Sequence, residues 1–283
     1  MKNNKLFSLS GLILTLACLL PGLVAANSHW FIPKNIKLDT RVVNFEFKEF
    51  DEAGHTLVRE NGALYGVNLE ADFNWRGVYF HARGYGVQGM VDYKGHQIHT
   101  KRSHETTTKQ TILNLGMRLG KIYRSWRSED FAVIYAGFGV HQWVRDIQSR
   151  GGVIGLYEFY AWPFAEIGAT GFVYKKSRHH LKIDLNLSRS IRPTMRVDFK
   201  GKYASKQLKL GEHYGARVSL PFSYRWTKHS YLSTNVYLES WDLGRSPHEP
   251  LTDPDGFEVD AGVHEPRSAT LLTGLELGWR YQF

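Results

Sequence analysis

The sequence predicts an all-β fold: an antiparallel β-barrel that crosses a membrane, preceded by a cleaved export signal. Three observations carry this. A charge-free apolar run follows a basic start. Most of the remaining chain alternates apolar and polar residues with a period of two, as strands with one face of each kind do. Aromatic residues gather near the ends of the alternating segments, where a lipid-facing strand meets water.

The start of the chain sets the compartment. Lys2 and Lys5 precede the uncharged stretch LFSLSGLILTLACLLPGLVAA, Leu6 to Ala26. Val24-Ala25-Ala26 then offers small residues for cleavage before Asn27. This is the pattern of a secretory signal peptide. Residues 1–26 are therefore expected to be removed, leaving 27–283 as the barrel. Cys18 is the single cysteine, so the processed chain has none for a disulfide framework or for cysteine-ligated zinc. A lipoprotein signal at Cys18 would need a large aliphatic residue where Thr15 stands. No later segment approaches the ~20 apolar residues of a membrane helix. In lipid, only helices and closed barrels satisfy every backbone group.

The alternation predicts twelve strands, in order about 38–50, 62–74, 78–92, 108–120, 131–144, 153–161, 164–174, 181–191, 195–203, 214–226, 230–241 and 268–283. The second is the clearest. Ala63, Tyr65, Val67, Leu69, Ala71 and Phe73 share one face, while Asn68, Glu70, Asp72 and Asn74 share the other. In the fourth, Leu113, Leu115, Met117 and Leu119 oppose Asn114, Gly116 and Arg118. Residues 153–174 as one strand would reach about 70 Å, against a lipid-facing band of ~25 Å. A break at Trp162-Pro163 resolves this, because proline cannot donate to a central ladder. Ten strands result if one hairpin is loop.

The connections then alternate in length. At the end shared by the termini they are short: 75–77, 162–163, 192–194 and 227–229, with 121–130 longer. At the other end lie 51–61, 93–107, 145–152, 201–213 and 242–267, with only 175–180 short. Trp75, Tyr123, Trp126, Trp162, Phe164, Trp226, Tyr231, Trp279, Tyr281 and Phe283 map to the short-turn end. Phe50, Tyr93, Trp143, Tyr203, Tyr214 and Trp241 map to the other. Two aromatic girdles and short turns on one side are the asymmetry of membrane barrels.

The last strand reads LELGWRYQF. Leu275, Leu277, Trp279, Tyr281 and Phe283 are apolar, with Glu276, Gly278, Arg280 and Gln282 between them. This segment resembles the carboxy-terminal signal of bacterial outer-membrane β-barrel proteins. The resemblance covers the last strand specifically and the rest of the chain by architecture, and it identifies no subfamily. It implies a Gram-negative outer-membrane location and assembly by the barrel assembly machinery, with Trp279, Tyr281 and Phe283 as assembly signal and aromatic belt.

If the apolar face meets lipid, the opposite face fills the lumen. That register places Glu46, Glu70, Asp72, Glu158, Glu166, Asp184, Asp198, Glu239 and Glu276 inside. It places Lys48, Arg83, Arg118, Lys182, Arg196, Lys200, Arg217, Arg225 and Arg280 there too. Mixed signs favour an ion-pair network, centred on Glu70, Asp72, Arg83, Arg118, Glu158, Glu166, Arg217, Arg225, Glu276 and Arg280. A charged pore wall is the alternative, although a selective pore tends to show one sign. On the network reading, replacing Arg217 and Arg225 by Ser would open a path.

The chain carries a formal net charge of +9. In an exported protein this points away from nucleic acid. Lys94, Lys101 and Arg102, Lys175, Lys176 and Arg178, and Lys200, Lys202, Lys206 and Lys209 are expected in loops, solvated or paired with lipopolysaccharide phosphates. His96, His99 and His104, and His179-His180, could gather a metal, but their spacing is irregular. The acidic stretch 253–260 hints at calcium, but its glycine comes too early for an EF-hand loop. The reading therefore assigns no cofactor and no metal. His81 and His141 are strand histidines with no nucleophile at a telling spacing. The expected role is structural, surface-interacting or narrowly solute-permeating. The alternative is an outer-membrane enzyme, a lipid A or phospholipid hydrolase or a surface protease, with its site at the extracellular rim.

Overall fold

The structure, a computed structural model, describes residues 33–96, 103–124 and 130–283. The expected signal peptide lies outside the described residues, as do His99, Lys101, Arg102 and Trp126. In chain order the strands are β1 (Asn35–Phe50), β2 (Thr56–Trp75), β3 (Val78–His96), β4 (Ser103–Arg124), β5 (Asp130–Ile147), β6 (Tyr157–Lys175) and β7 (His179–Ser190). There follow β8 (Thr194–Asp198), β9 (Lys206–Lys209), β10 (Tyr214–Arg225), β11 (Ser230–Leu243), β12 (Glu249–Thr252), β13 (Glu258–Val263) and β14 (Arg267–Gln282).

Ten of these close a barrel. β1 to β7 pair in sequence, β7 pairs with β10, β10 with β11, β11 with β14, and β14 returns to β1. Every pairing is antiparallel, and closure leaves no open edge in the wall. Asn35 and Gln282 face each other at one end, called lower here. Lower connections span 76–77, 125–129, 176–178 and 226–229. Upper ones span 51–55, 97–102, 148–156, 191–213 and 244–266. The two longest upper connections contain the hairpins β8–β9 and β12–β13.

The count is thus ten, not twelve. β6 runs unbroken through Trp162-Pro163. Ala161 pairs with Thr194 of β8, and Phe164 pairs with Ser190 of β7. Pro163 sits where the neighbour changes, and its carbonyl accepts from the amide of Ile191 at 2.9 Å. In an antiparallel ladder the N–H and C=O of a residue point to the same side. The missing donor of Pro163 therefore faces this changeover, and its ring faces outward. The segment 195–203 does not span the wall either; β8 adds to the upper end of β6. These two differences cancel in strand parity. They also invert what lies between them: 175–180 is at the lower end and 192–194 at the upper.

Strand length is not limited by the apolar band, because the strands continue past it. On β4 the outward residues Leu115, Met117 and Leu119 give way upward to Lys109, Glu105 and Ser103. The inward face changes at the same level. On β1 the exposed apolar residues are Leu38 and Val42, while above them Val43, Phe45 and Phe47 point inward and are buried. Along one straight strand the apolar set moves from the outer face to the inner. Below the switch the barrel has an apolar outside and a polar lumen; above it, the reverse. Leu64, Val87, Ile112, Trp143, Met195 and Leu272 join the upper core.

This switch corrects several register expectations. Glu46 and Lys48 alternate with the buried Phe45, Phe47 and Glu49 and so point outward. On β8 the buried residues are Met195 and Val197, so Arg196 faces outward; Lys200 is exposed beyond the strand. Trp162, Phe164 and Tyr231 do not belong to the lower girdle, nor Trp143 and Trp241 to the upper one; all five are buried inside. Trp75, Tyr123, Trp226, Trp279 and Phe283 do lie exposed around the lower end, and Tyr214 near the upper. Trp279 and Phe283 are 46% and 52% exposed, as outward anchors must be.

Candidate functional site

Two layers of charge fill the interior. The lower layer begins on β1. Lys37 Nζ lies 2.9 Å from Asp39, 3.4 Å from Glu70 and 3.7 Å from Glu276. The three carboxylates are close enough together to cage a cation, and the ammonium of Lys37 already supplies one. Arg41, fully buried, sets its Nε 3.2 Å from Glu276 and stacks between the rings of Tyr85 and Tyr237, 3.7 and 4.7 Å from their centroids. Such stacking favours a desolvated guanidinium. Tyr237 can reach across because its neighbour on β14 is Gly274; a side chain there would collide with the ring.

Arg217 joins Glu239 at 3.1 Å to Glu276 at 3.4 Å. Glu166 accepts from Arg83 and Arg118, each at 2.9 Å, and from Asn186 at 2.7 Å. Arg118 continues to Asp184 at 3.6 Å. His81 and Tyr79 hold Asp72 at 2.8 and 3.0 Å. An uncompensated charge in such an interior is costly, and here each carboxylate has a cation or a donor at hand. This layer encloses a cavity of about 120 Å³, lined by Lys37, Glu70, His81, Arg118, Lys182 and Arg280. Arg280 stacks over Tyr231 at 4.2 Å and donates to Ser223. Arg225 is half-buried, directly across from Tyr231 near the lower end.

The upper layer surrounds Arg145, which is completely buried. Its guanidinium contacts Glu158 at 2.7 Å, Glu49 at 2.9 Å and Glu60 at 3.0 Å. It also lies over the ring of Phe47 at 4.2 Å. Thr108 donates to Glu60 at 2.8 Å. Trp143 stacks on Tyr160 and donates to Gln110 at 2.6 Å. A fourth carboxyl, Glu265, descends from the 244–266 connection, with the Tyr160 hydroxyl at 2.6 Å. The same hydroxyl is 3.1 Å from Glu158.

Of the ten lumen residues read from the sequence, Glu158 belongs to the upper layer and the other nine to the lower part. Lys37, Asp39, Arg41, Glu49, Glu60, Arg145 and Glu265 were not foreseen. The signal for Arg41 and Glu49 was the phase change within β1; Glu265 is a loop residue that no strand period could place. His96 and His104 do not come together, since their rings turn to Leu57 and Tyr93. His179 and His180 lie at the lower end against Tyr224 and Tyr231.

No family model and no curated protein matches the chain. Solved structures do. The outer-membrane protease OmpT from Escherichia coli superposes with a TM-score of 0.51 at 11% identity, over 91% of this chain and 99% of that one. The translocator domain of autotransporter NalP from Neisseria meningitidis gives 0.41 at 12% identity, over 97% of each chain. The outer-membrane protein OprG from Pseudomonas aeruginosa gives 0.37 at 11%, over 89% and 96%. At these identities the likeness concerns the fold alone: the chain is a closed ten-stranded barrel of the bacterial outer-membrane type.

Proposed function

We propose that this barrel resides in the outer membrane as a filled surface protein, with its upper connections facing the cell exterior and its role structural or surface-interacting. The observation that carries this is the upper interior. Phe45, Phe47, Trp143, Tyr160 and Leu272 pack there as in a soluble core, and water has no apolar path through such packing. Reconstituted in planar bilayers, the protein should show no steady conductance steps. The variant with Arg217→Ser and Arg225→Ser should stay closed as well. It loosens only the lower half, which alters the expectation that these arginines alone hold the path shut. Regular open-channel steps from the unmodified protein would favour the solute-permeating role.

A membrane partner follows from the register. Lys48 of β1, Arg59 of β2 and Lys94 of β3 stand directly opposite one another on the outward face above the apolar band. Like charges opposed across strands repel. Lys94 is relieved by Glu105 at 3.2 Å, and Glu46 and Asp92 alternate below. Lipopolysaccharide phosphates would neutralise the remaining pair. Changing Lys48, Arg59 and Lys94 together to Gln should weaken lipopolysaccharide co-purification several-fold. Unchanged lipid content would remove this partner from the reading. Lys175, Lys176 and Arg178 belong to the lower rim and take no part in it.

A further inference from the structure

The 244–266 connection carries a feature that the filled-barrel reading does not use. His248 precedes β12 and His264 follows β13, so the two imidazoles face each other across the root of this hairpin. Their Nδ1 atoms are 3.1 Å apart, with ring centroids at 5.1 Å and planes inclined by 41°. Gly262 leaves the space that the His248 ring occupies.

We propose that His248 and His264 form a two-histidine site for a borderline divalent cation, of the Zn²⁺, Ni²⁺ or Cu²⁺ class. With metal–nitrogen bonds of ~2.0–2.1 Å, a 3.1 Å nitrogen separation subtends about 100° at the metal. That lies between the square and tetrahedral angles these ions adopt. Imidazole nitrogen excludes Ca²⁺ and Mg²⁺, which take oxygen. The hairpin ladder already holds both ligands, so little ordering is left for binding to require.

His248 is exposed and His264 only half-buried, so the pair is open to solvent. Among the described residues, no third His, Asp or Glu joins these two at mutual ligand distance. Water therefore completes the coordination. The nearby carboxylate is Glu52 of the β1–β2 connection, tied to Arg245 of the same strap. An ion at this root would lock the hairpin one residue from Glu265, the strap's anchor in the upper layer.

The test is calorimetric titration of untagged full-length protein in detergent with ZnCl₂. Other histidines give background, so variants decide. His248→Gln and His264→Gln should each weaken the tightest site by roughly 10-fold or more, while His213→Gln, at another place on the rim, should not. Mg²⁺ should give no heat at this site. Cu²⁺ electron paramagnetic resonance supplies an independent reading, with two imidazole nitrogens expected on the first equivalent of metal in the unmodified protein. Equal affinities in the wild type and both pair variants would overturn the proposal. So would a copper spectrum unchanged in the double variant. The two histidines would then share a hydrogen bond and nothing more.

Discussion

Replacing Arg145 by Met should destabilise the upper half of the barrel by about 3–5 kcal/mol, the loss typical when a buried ion pair keeps only one partner. Glu49, Glu60 and Glu158 would face one another with no cation between them. Met fills much of the stem's volume, so the effect reads charge rather than cavity. Arg145→Lys should recover only part of it, because an ammonium lacks the planar fork that reaches three carboxylates. Adding Glu60→Gln and Glu158→Gln to the Met variant should restore stability beyond the sum of single effects. Urea unfolding of the detergent-solubilised protein measures each of these variants against the wild type. Wild-type stability in Arg145→Met would mean that the upper carboxylates do not depend on this residue.

The second large effect is a pH dependence of the 244–266 strap. Tyr160 has one hydroxyl hydrogen, yet Glu265 and Glu158 both lie within bonding distance of its oxygen. A proton on one carboxyl supplies the second donor that this arrangement lacks. Burial, with Glu49 and Glu158 alongside, holds Glu265 well above the usual carboxylate range; Arg145 opposes this but is shared among the other acids. The docked carboxyl thus keeps a proton that the undocked one loses. Docking is at full strength below the ordinary value of 4.5. It weakens as pH rises toward the raised value, by about 1.4 kcal/mol per unit. Hydrogen exchange of residues 244–266 should accordingly be faster at pH 8 than at pH 5. Glu265→Gln stays neutral and should flatten this difference while protecting the strap at pH 8. A strap equally protected at both pH values in the wild type would contradict the proton assignment.

What was legible in the sequence follows from where one physical rule held along a strand. On β14 the outward residues Leu271, Leu275, Leu277, Trp279 and Phe283 are apolar, interrupted only by Thr273, and alternation placed them correctly. On β1 the rule changes within the strand. Val42 faces lipid and Val43 the upper core, and adjacent valines carry no mark of which solvent each meets. Reading all apolar residues as outward therefore turned Lys48 and Glu46 inward and passed over Arg41 and Glu49. Pro163 misled for another reason. A proline is barred where a ladder needs its donor, and β6 changes partners at that residue, a tertiary fact. The lower network was legible because Arg83, Arg118, Glu166 and Glu276 lie on the stretches of their strands where the opposite face is apolar and outward. Glu60 and Arg145 lie above the switch, as polar residues inside an apolar core, and only the fold shows that they meet.

The most direct test of a barrel closed by its own upper core is thiol accessibility. Cys18 is the single cysteine of the chain, so introduced thiols report individually against the unmodified protein as blank. Val43→Cys, Ile112→Cys and Leu272→Cys probe buried inward positions of the upper core, and Lys48→Cys probes the outward face of the same wall. With a membrane-impermeant maleimide on folded protein, Lys48→Cys should label readily, and the three inward thiols should label only after unfolding. Fast labelling of Val43→Cys and Leu272→Cys in the folded barrel would show water reaching through the upper half and would contradict the filled lumen.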